Sequence, residues 1–391
     1  MNPTWVEIDA AALRANIAAI KARLAPGSRM AAVVKSNAYG HGLTPCAELL
    51  LEAGCDWLVV NTLDEAEDLR RLGLEAPVYI CGPVFAEQAP RLAATGARAV
   101  LYDGETARAI QEAAVAAGVR VKVHLKVETG TNRQGLSISA AIDLGFFIQG
   151  LSHVKIEGLT THFADIEDST DHRFAQEQLE ALLQARRAFA EAGIAVPMAH
   201  AANSAAALLW PETHLDMVRV GIAAYGLWPS RETYATALQR AGDRGESMAQ
   251  LQPVMAWKAR IAQVKEVPAG EYIGYGRTFR ATHPLRLAVL PVGYYEGYDR
   301  RLSNIGHVLV NGVRAPVRGR VCMNMFMVDI SDIPVVEVGA VATLLGRDGD
   351  EAVDASMWAG WMGSIHYEAV SGVLGAIPRL LSTPPKEEST L

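Results

Sequence analysis

The chain has little of what would direct it to a membrane, a nucleic acid or an oxidising compartment. Only four cysteines occur in 391 residues (Cys46, Cys55, Cys81 and Cys322), and no two form a CxxC pair. In a chain this long they read as reduced thiols of a cytoplasmic protein, with no metal site expected. No apolar run approaches the roughly 18 residues that a membrane-spanning helix needs. The first residues, MNPTWVEIDA, lack a basic stretch followed by an apolar one, so no signal peptide is expected. No Lys/Arg-rich run appears, and a pI near 5.8 argues against a nucleic-acid partner. A net charge of −7 is small for the length, and half the residues are hydrophobic, which excludes disorder as the dominant state.

What remains is a globular chain of 42.0 kDa with mean hydropathy +0.12, long enough for two domains. An opening helix is expected from Asp9. Short runs rich in β-branched residues then alternate with Ala/Leu/Glu-rich segments of helical period. The runs are MAAVVKS, WLVVNT, PVYICG, ARAVLYD, VRVKVHLKV, KIEGLTTHF, AVPMAHAAN and MVRVGIAAYG. Eight β–α repeats in about 200 residues predict an α/β fold, a parallel (β/α)8 TIM-type barrel over residues 1–235. A doubly wound open sheet gives the same alternation, but no GxGxxG follows the first run. Residues 231–251 are polar and Ala/Gly-rich and read as a linker or a surface excursion. From there the stretches VMAWKARIAQVKEV, LRLAVLPVGYY and HVLVNGVRAPVRG follow without intervening helices, the last with a hairpin signal at Asn311-Gly312. Residues 236–391 are therefore expected to form a mostly β domain, to which residues 1–8 could add a strand. The tail PPKEESTL reads as frayed.

Lys35 is the first residue with chemical promise. It ends an apolar strand in AAVVKSNAYGHG, where burial would lower its pKa and make it a nucleophile toward carbonyl groups. The plain alternative is a lysine that snorkels from the strand end. Asn37, Tyr39, Gly40, His41 and Gly42 crowd the loop that follows, on the face where barrels carry active sites.

VVKSNAYGHG resembles the pyridoxal-phosphate (PLP) lysine motif of the alanine racemase family. HLKVETGTNRQG, LTTHFADIED, HAANSAA, MVRVGIAAYGLWPS, IGYGRTF, GRVCMNMFMVDI and IHYEAV match that family in order, so the resemblance covers nearly the whole chain. It implies a homodimer of barrel and β domain that interconverts L- and D-alanine and supplies D-alanine for cell-wall peptidoglycan. It also implies that Lys35 holds PLP as an internal aldimine and acts as one acid/base. Tyr275, contributed by the opposite subunit, is the second, because one base does not easily serve both faces of Cα.

The resemblance further places Tyr39, His162, Asn203, Ser204, Arg219, Gly221, Ile222 and Tyr367 at the cofactor. The phosphate falls to backbone N–H groups near Gly221 and Ile222 and to the hydroxyls of Ser204, Tyr39 and Tyr367. Arg219 faces the pyridine nitrogen, which it leaves unprotonated because arginine keeps its proton. His162 and His200 are expected to bond with it. Arg133 and Met323 meet the substrate, and Lys126 is a candidate for carbamylation.

Taken alone, several of these residues have ordinary readings. Ser204 could be a helix N-cap, Tyr39 packing, Arg219 a rim ion pair, Tyr275 a sheet tyrosine, and the histidines structural. Two places depart from the family pattern: Met323 is followed by Asn324 rather than Asp, and GYADG is replaced by GYYEG (Gly293–Gly297). Tyr294 keeps the position that narrows the substrate entrance. The departures leave open a broader or serine-preferring racemase. A non-catalytic PLP-binding barrel would lack the second domain. A decarboxylase on the same barrel would find its only support in Cys322.

Overall fold

The computed structural model describes residues 2–245 and 247–382; the segment PPKEESTL lies outside the described residues. The chain divides into two compact units. One holds Ala12–Ala38 and Cys46–Gln252. The other holds the N-terminal segment to Ala11, Tyr39–Pro45 and the chain from Pro253.

The first strand, β1 (Thr4–Ile8), belongs to the second unit. The next eight form the barrel: β2 (Arg29–Val33), β3 (Trp57–Val60), β4 (Val78–Ile80), β5 (Arg98–Leu101), β6 (Val121–Lys126), β7 (Val154–Thr160), β8 (Met198–His200) and β9 (Met217–Val220). They pair in the order β8-β7-β6-β5-β4-β3-β2-β9, every pair parallel. These are the eight runs expected from the sequence. The barrel is nearly closed. Between β8 and β9 single bonds replace a ladder, Arg219 N–H to Ala202 O at 3.0 Å and Asp216 N–H to Ala199 O at 3.2 Å.

Helices between the strands begin where the sequence supplies caps. Thr62 and Glu65 form a capping box on Leu63–Arg71, and Asp103 caps Gly104–Ala117, which ends at left-handed Gly118. Each such cap stabilises its helix by about 1 kcal/mol. One sequence expectation is corrected. The stretch read as a linker from residue 231 holds a helix, Arg231–Arg244, opened by Ser230, whose hydroxyl accepts the Thr233 N–H. Its Ala, Leu and Arg content favours a helix even though no broad apolar stripe advertises one.

In the second unit β1 pairs antiparallel with β10 (Met255–Arg260). The remaining strands are β11 (Gln263–Val267), β12 (Tyr272–Ile273), β13 (Phe279–Arg280), β14 (Leu285–Leu290), β15 (His307–Val310), β16 (Val313–Pro316), β17 (Phe326–Asp329), β18 (Val341–Asp348), β19 (Glu351–Val353) and β20 (Arg379–Leu381). The main sheet runs β16-β15-β18-β10-β1-β20, with β19 beside β18. β15 and β16 meet at the expected Asn311-Gly312 turn, where both residues take positive φ. Trp257, Tyr298, Phe326 and Trp358 fill the core of this unit; the Tyr298 and Phe326 rings stack at 4.1 Å. Two helices, Ala355–Met362 and His366–Ser371, interrupt the β pattern. Among the described residues no helix is long and apolar enough to cross a membrane.

Candidate active site

β2 runs straight into the turn that carries Lys35. Ser36, Asn37, Ala38 and Tyr39 all take φ between 53° and 56°. A left-handed run of L-residues costs about 1–2 kcal/mol per residue, so the surroundings must hold it. Glu65 does part of this: its carboxylate accepts the Ser36 N–H at 2.5 Å and the Asn61 N–H at 2.7 Å. The Ala38 N–H bonds to Val34 O at 2.8 Å. Lys35 is half-buried rather than engulfed, because the strand has already given way to the turn.

The following residues belong to the second unit. Gly40, at φ 81°, lies so near Val370 that a Cβ would fall 2.0 Å from its carbonyl oxygen. Arg379 donates to Gly40 O at 2.8 and 3.1 Å. The Tyr39 and Tyr367 rings stand 6.1 Å apart.

Arg219, on β9, is buried and makes five hydrogen bonds, all to neutral acceptors. Nη1 donates to His200 Nδ1 at 2.5 Å and to Thr160 Oγ1 at 3.4 Å. Nη2 donates to Thr161 O and Ala201 O, both at 2.9 Å, and to His162 Nδ1 at 3.3 Å. None of these bonds uses Nε–H. The sequence alternative of a rim ion pair does not hold: no carboxylate pairs with this guanidinium among the described residues. Burial lowers its pKa, and burial with the Arg219 charge holds both His162 and His200 well below the ordinary histidine value. Both rings are therefore neutral at pH 7.

Beside this network, Lys126, Glu128, Arg133 and His162 line one small cleft at the ends of β6 and β7. Burial, Arg219 and Arg133 pull the Lys126 ammonium down to about 7. Glu128 shapes the loop that carries Arg133, accepting the Gly130 N–H at 2.6 Å. Arg133 itself is exposed.

At the ends of β8 and β9, Asn203 is the N-cap of helix Ser204–Leu209 and accepts the Ala206 N–H at 3.1 Å. Ser204 is thus not the cap. Its hydroxyl accepts the Gly221 N–H at 2.9 Å and the Ala223 N–H at 3.4 Å, which ties the two strand ends together. The Gly221 N–H, expected at a phosphate, is committed to Ser204. Ile222 opens the short turn Ile222–Tyr225.

In the second unit, Tyr275 sits on a tight turn between β12 and β13 and is 74% exposed. The turn needs its glycines: Gly274 and Gly276 both have φ 72°, and a Cβ on Gly276 would lie 3.0 Å from the Arg320 guanidinium. The GYYEG loop packs on the Met323 loop. Tyr294 N–H donates to Cys322 O at 3.1 Å, and Tyr295 N–H to Met323 O at 3.0 Å. The two departures from the family pattern touch: Asn324 Nδ2 donates to Glu296 Oε1 at 2.7 Å. An aspartate at 324 would face that carboxylate with like charge.

Sequence reasoning missed His124 and Glu157. His124 is fully buried between His200, at 2.7 Å, and Glu157, at 3.4 Å. The available signal was the alternation in VKVHLKV, which sets His124 on the same strand face as Lys126.

The fold is that of a parallel-barrel protein that gathers Lys35, Lys126, Arg133 and Arg219 around neutral histidines at the strand ends. Residues 8–229 match the model of the alanine racemase N-terminal domain, and residues 254–381 that of the C-terminal domain. An alanine racemase of Symbiobacterium thermophilum is 41% identical over 97% of both chains. One from Methanococcus maripaludis is 38% identical over 97% of this chain and 98% of its own. The crystal structure of a Bacillus anthracis alanine racemase with bound L-Ala-P superposes at TM-score 0.90, with 32% identity and coverage of 99% of this chain and 96% of that one. The chain belongs to the alanine racemase family.

Proposed function

We propose that the protein interconverts L- and D-alanine with PLP held on Lys35, as a homodimer in the cytoplasm. The observation that carries this reading is Arg219, a buried cation bonded only to neutral acceptors. Lys35, Lys126 and Arg133 add positive charge near His162. Such a surplus fits an anionic cofactor with a phosphate and a substrate with a carboxylate. The donor set therefore fits PLP. Ser204, Tyr39 and Tyr367 are the hydroxyls assigned to its phosphate, with Ile222 N–H. Asn203 caps the helix that Ser204 opens, and His162 bonds to Arg219.

When bound, PLP supplies an electron sink that stabilises negative charge at the substrate Cα. The remaining work belongs to this chain. Lys35 Nζ and Tyr275 Oη hold and move the proton at Cα on opposite faces, one taking it as the other returns it. Arg219 keeps its proton and donates to the ring nitrogen, which restrains the sink and favours return of the proton over side reactions. Arg133 binds the substrate carboxylate, and Met323 bounds its side chain. In the dimer reading, Tyr275 and Met323 serve the partner's site. Tyr294, Tyr295 and Met323 leave large apolar surface exposed on two packed loops, as a partner would require.

The test is incubation of purified protein with each L-amino acid, followed by chiral chromatography. L-alanine should yield D-alanine, faster than any other amino acid yields its enantiomer. A faster reaction with serine would establish the serine-preferring alternative, and no enantiomer from any amino acid would refute the proposal.

A further inference from the structure

The barrel interior carries a polar chain that starts at Arg219 and, beyond that residue, plays no part in the mechanism proposed above. Side chains from seven strands converge there, namely Trp57, Tyr79, Arg98, His124 with Glu157, His200 and Arg219. The links run in sequence: Arg219 Nη1 to His200 Nδ1 at 2.5 Å, His200 Nε2 to His124 Nδ1 at 2.7 Å, and His124 Nε2 to Glu157 Oε2 at 3.4 Å. Arg98 Nε and Lys122 Nζ then meet Glu157 at 2.9 and 2.7 Å. Arg98 begins its strand and His200 ends its own, so the chain connects the mouth with the opposite end of the barrel.

The direction of every link follows from its first member. Arginine only donates, so His200 Nδ1 must carry a lone pair. A neutral imidazole has one N–H, so the His200 proton sits on Nε2 and is donated to His124 Nδ1. His124 then accepts at Nδ1 and carries its proton on Nε2, toward the Glu157 carboxylate. Burial keeps the His124 ring below the usual value despite the Glu157 contact, so it too is neutral at pH 7. A proton on His124 Nδ1 would oppose the His200 N–H. The chain is also built sterically. Tyr79 stacks on His124 at 4.8 Å, and Gly158 leaves room for the ring.

We propose that His124 and Glu157 are positioning residues for the reaction: they fix the tautomer of His200, which in turn holds the Arg219 guanidinium in one orientation as a donor. The chain stands on geometry alone; its value to catalysis rests on the racemase reading. Without His124, the His200 N–H loses its acceptor and can move to Nδ1. There it would meet the Arg219 N–H head-on and release the guanidinium.

The test uses the PLP-loaded enzyme labelled with 15N-histidine. Long-range 1H–15N spectra should show His200 and His124 both protonated on Nε2. His124→Gln can accept from His200 through its oxygen and donate to Glu157 through its amide, so it preserves the direction. His124→Phe keeps a ring against Tyr79 and breaks the chain. His124→Phe should populate the Nδ1–H form of His200 and lower kcat about tenfold with KM within twofold. His124→Gln should keep the wild-type His200 signals and a kcat within threefold. A wild-type spectrum with the His200 proton on Nδ1 overturns the proposal even if no variant folds. So does a His124→Phe enzyme with unchanged His200 signals and unchanged kcat. Expected tautomers in a protein without racemase activity would overturn the functional reading and leave the chain standing.

Discussion

The imidazole of His124 occupies the space that a side chain on Gly158 would take: a Cβ there would lie 2.6 Å from Nδ1 and 2.9 Å from Cε1. The two residues sit on neighbouring strands, β6 and β7, at the point where their register shifts. The glycine is thus a packing requirement of the buried histidine and not a turn residue.

Gly158→Ala should therefore force the His124 ring aside and destabilise the barrel by about 1–3 kcal/mol, the usual cost of overpacking. Urea unfolding monitored by circular dichroism measures it. In the double variant with His124→Ala the alanine should cost much less, since the ring it strikes is gone. An equal cost in both backgrounds would show that the contact does not carry the effect.

This pair also shows where the sequence stops being legible. The eight barrel strands announce themselves as β-branched runs, and the 310–313 hairpin by its Asn-Gly turn, because both signals are local. His124 and Glu157 are polar residues in strands, and strand alternation alone does not tell a barrel interior from a solvent face. Their partnership spans 33 residues and exists only once the barrel closes. Arg219 is legible because it interrupts an apolar strand, and Lys35 because it ends an apolar run. The capping role of Asn203 was hidden by the adjacent Ser204, since both residue types serve as caps. Helix Arg231–Arg244 was hidden by its polarity.

Glu157 sets an acid limit on stability. Burial works to raise its pKa, but hydrogen bonds from His124, Lys122 and Arg98 outweigh it and hold the carboxyl well below its ordinary value. A depressed folded pKa stabilises above the unfolded value, roughly pH 4.3, and that contribution is lost as pH falls toward the folded value. Glu157→Gln should cost about 3 kcal/mol at pH 7, the lower end for breaking a buried ionic cluster. Its stability should also fall less steeply than wild type between pH 4 and pH 2.5. Denaturant titrations across that range give both curves, and parallel acid limbs would rule out this role.

Lys126 should react with carbon dioxide. An ordinary lysine, with a pKa near 10.4, is a free amine in fewer than about one molecule in a thousand at pH 7. Lowered to about 7 by burial and by the charges of Arg219 and Arg133, Lys126 is a free amine in about half. The amine is the form that adds CO2. The resulting carbamate replaces a cation by an anion beside Arg133, which relieves the repulsion. Protein equilibrated with 13C-bicarbonate should show one carbamate carbon signal, absent from Lys126→Met. A spectrum with no such signal between pH 7 and 8.5 would refute it. The same shift makes stability rise with pH between about 7 and 10.4, because the unfolded chain holds the proton that folded Lys126 has lost.

Each active site of the proposed dimer should draw on both subunits. Lys35 belongs to the barrel unit and Tyr275 to the other, where its ring is exposed. In the dimer proposed above, each site takes its lysine from one chain and its tyrosine from the partner. Lys35→Ala removes the amine that holds the cofactor and one of the two bases, and should abolish activity. Tyr275→Phe removes the hydroxyl and keeps the ring, and should lower kcat by about a hundredfold or more, as loss of a general acid/base does. Mixing the two homodimers under conditions that allow exchange gives heterodimers with one site missing both groups and one site intact. With statistical exchange about half the dimers are mixed, each with one good site of two, so activity should return to about a quarter of wild type. Mass-tagged subunits report the exchange independently. Full exchange without recovered activity would mean that Lys35 and Tyr275 of one chain serve the same site, and the shared-site dimer would have to be abandoned.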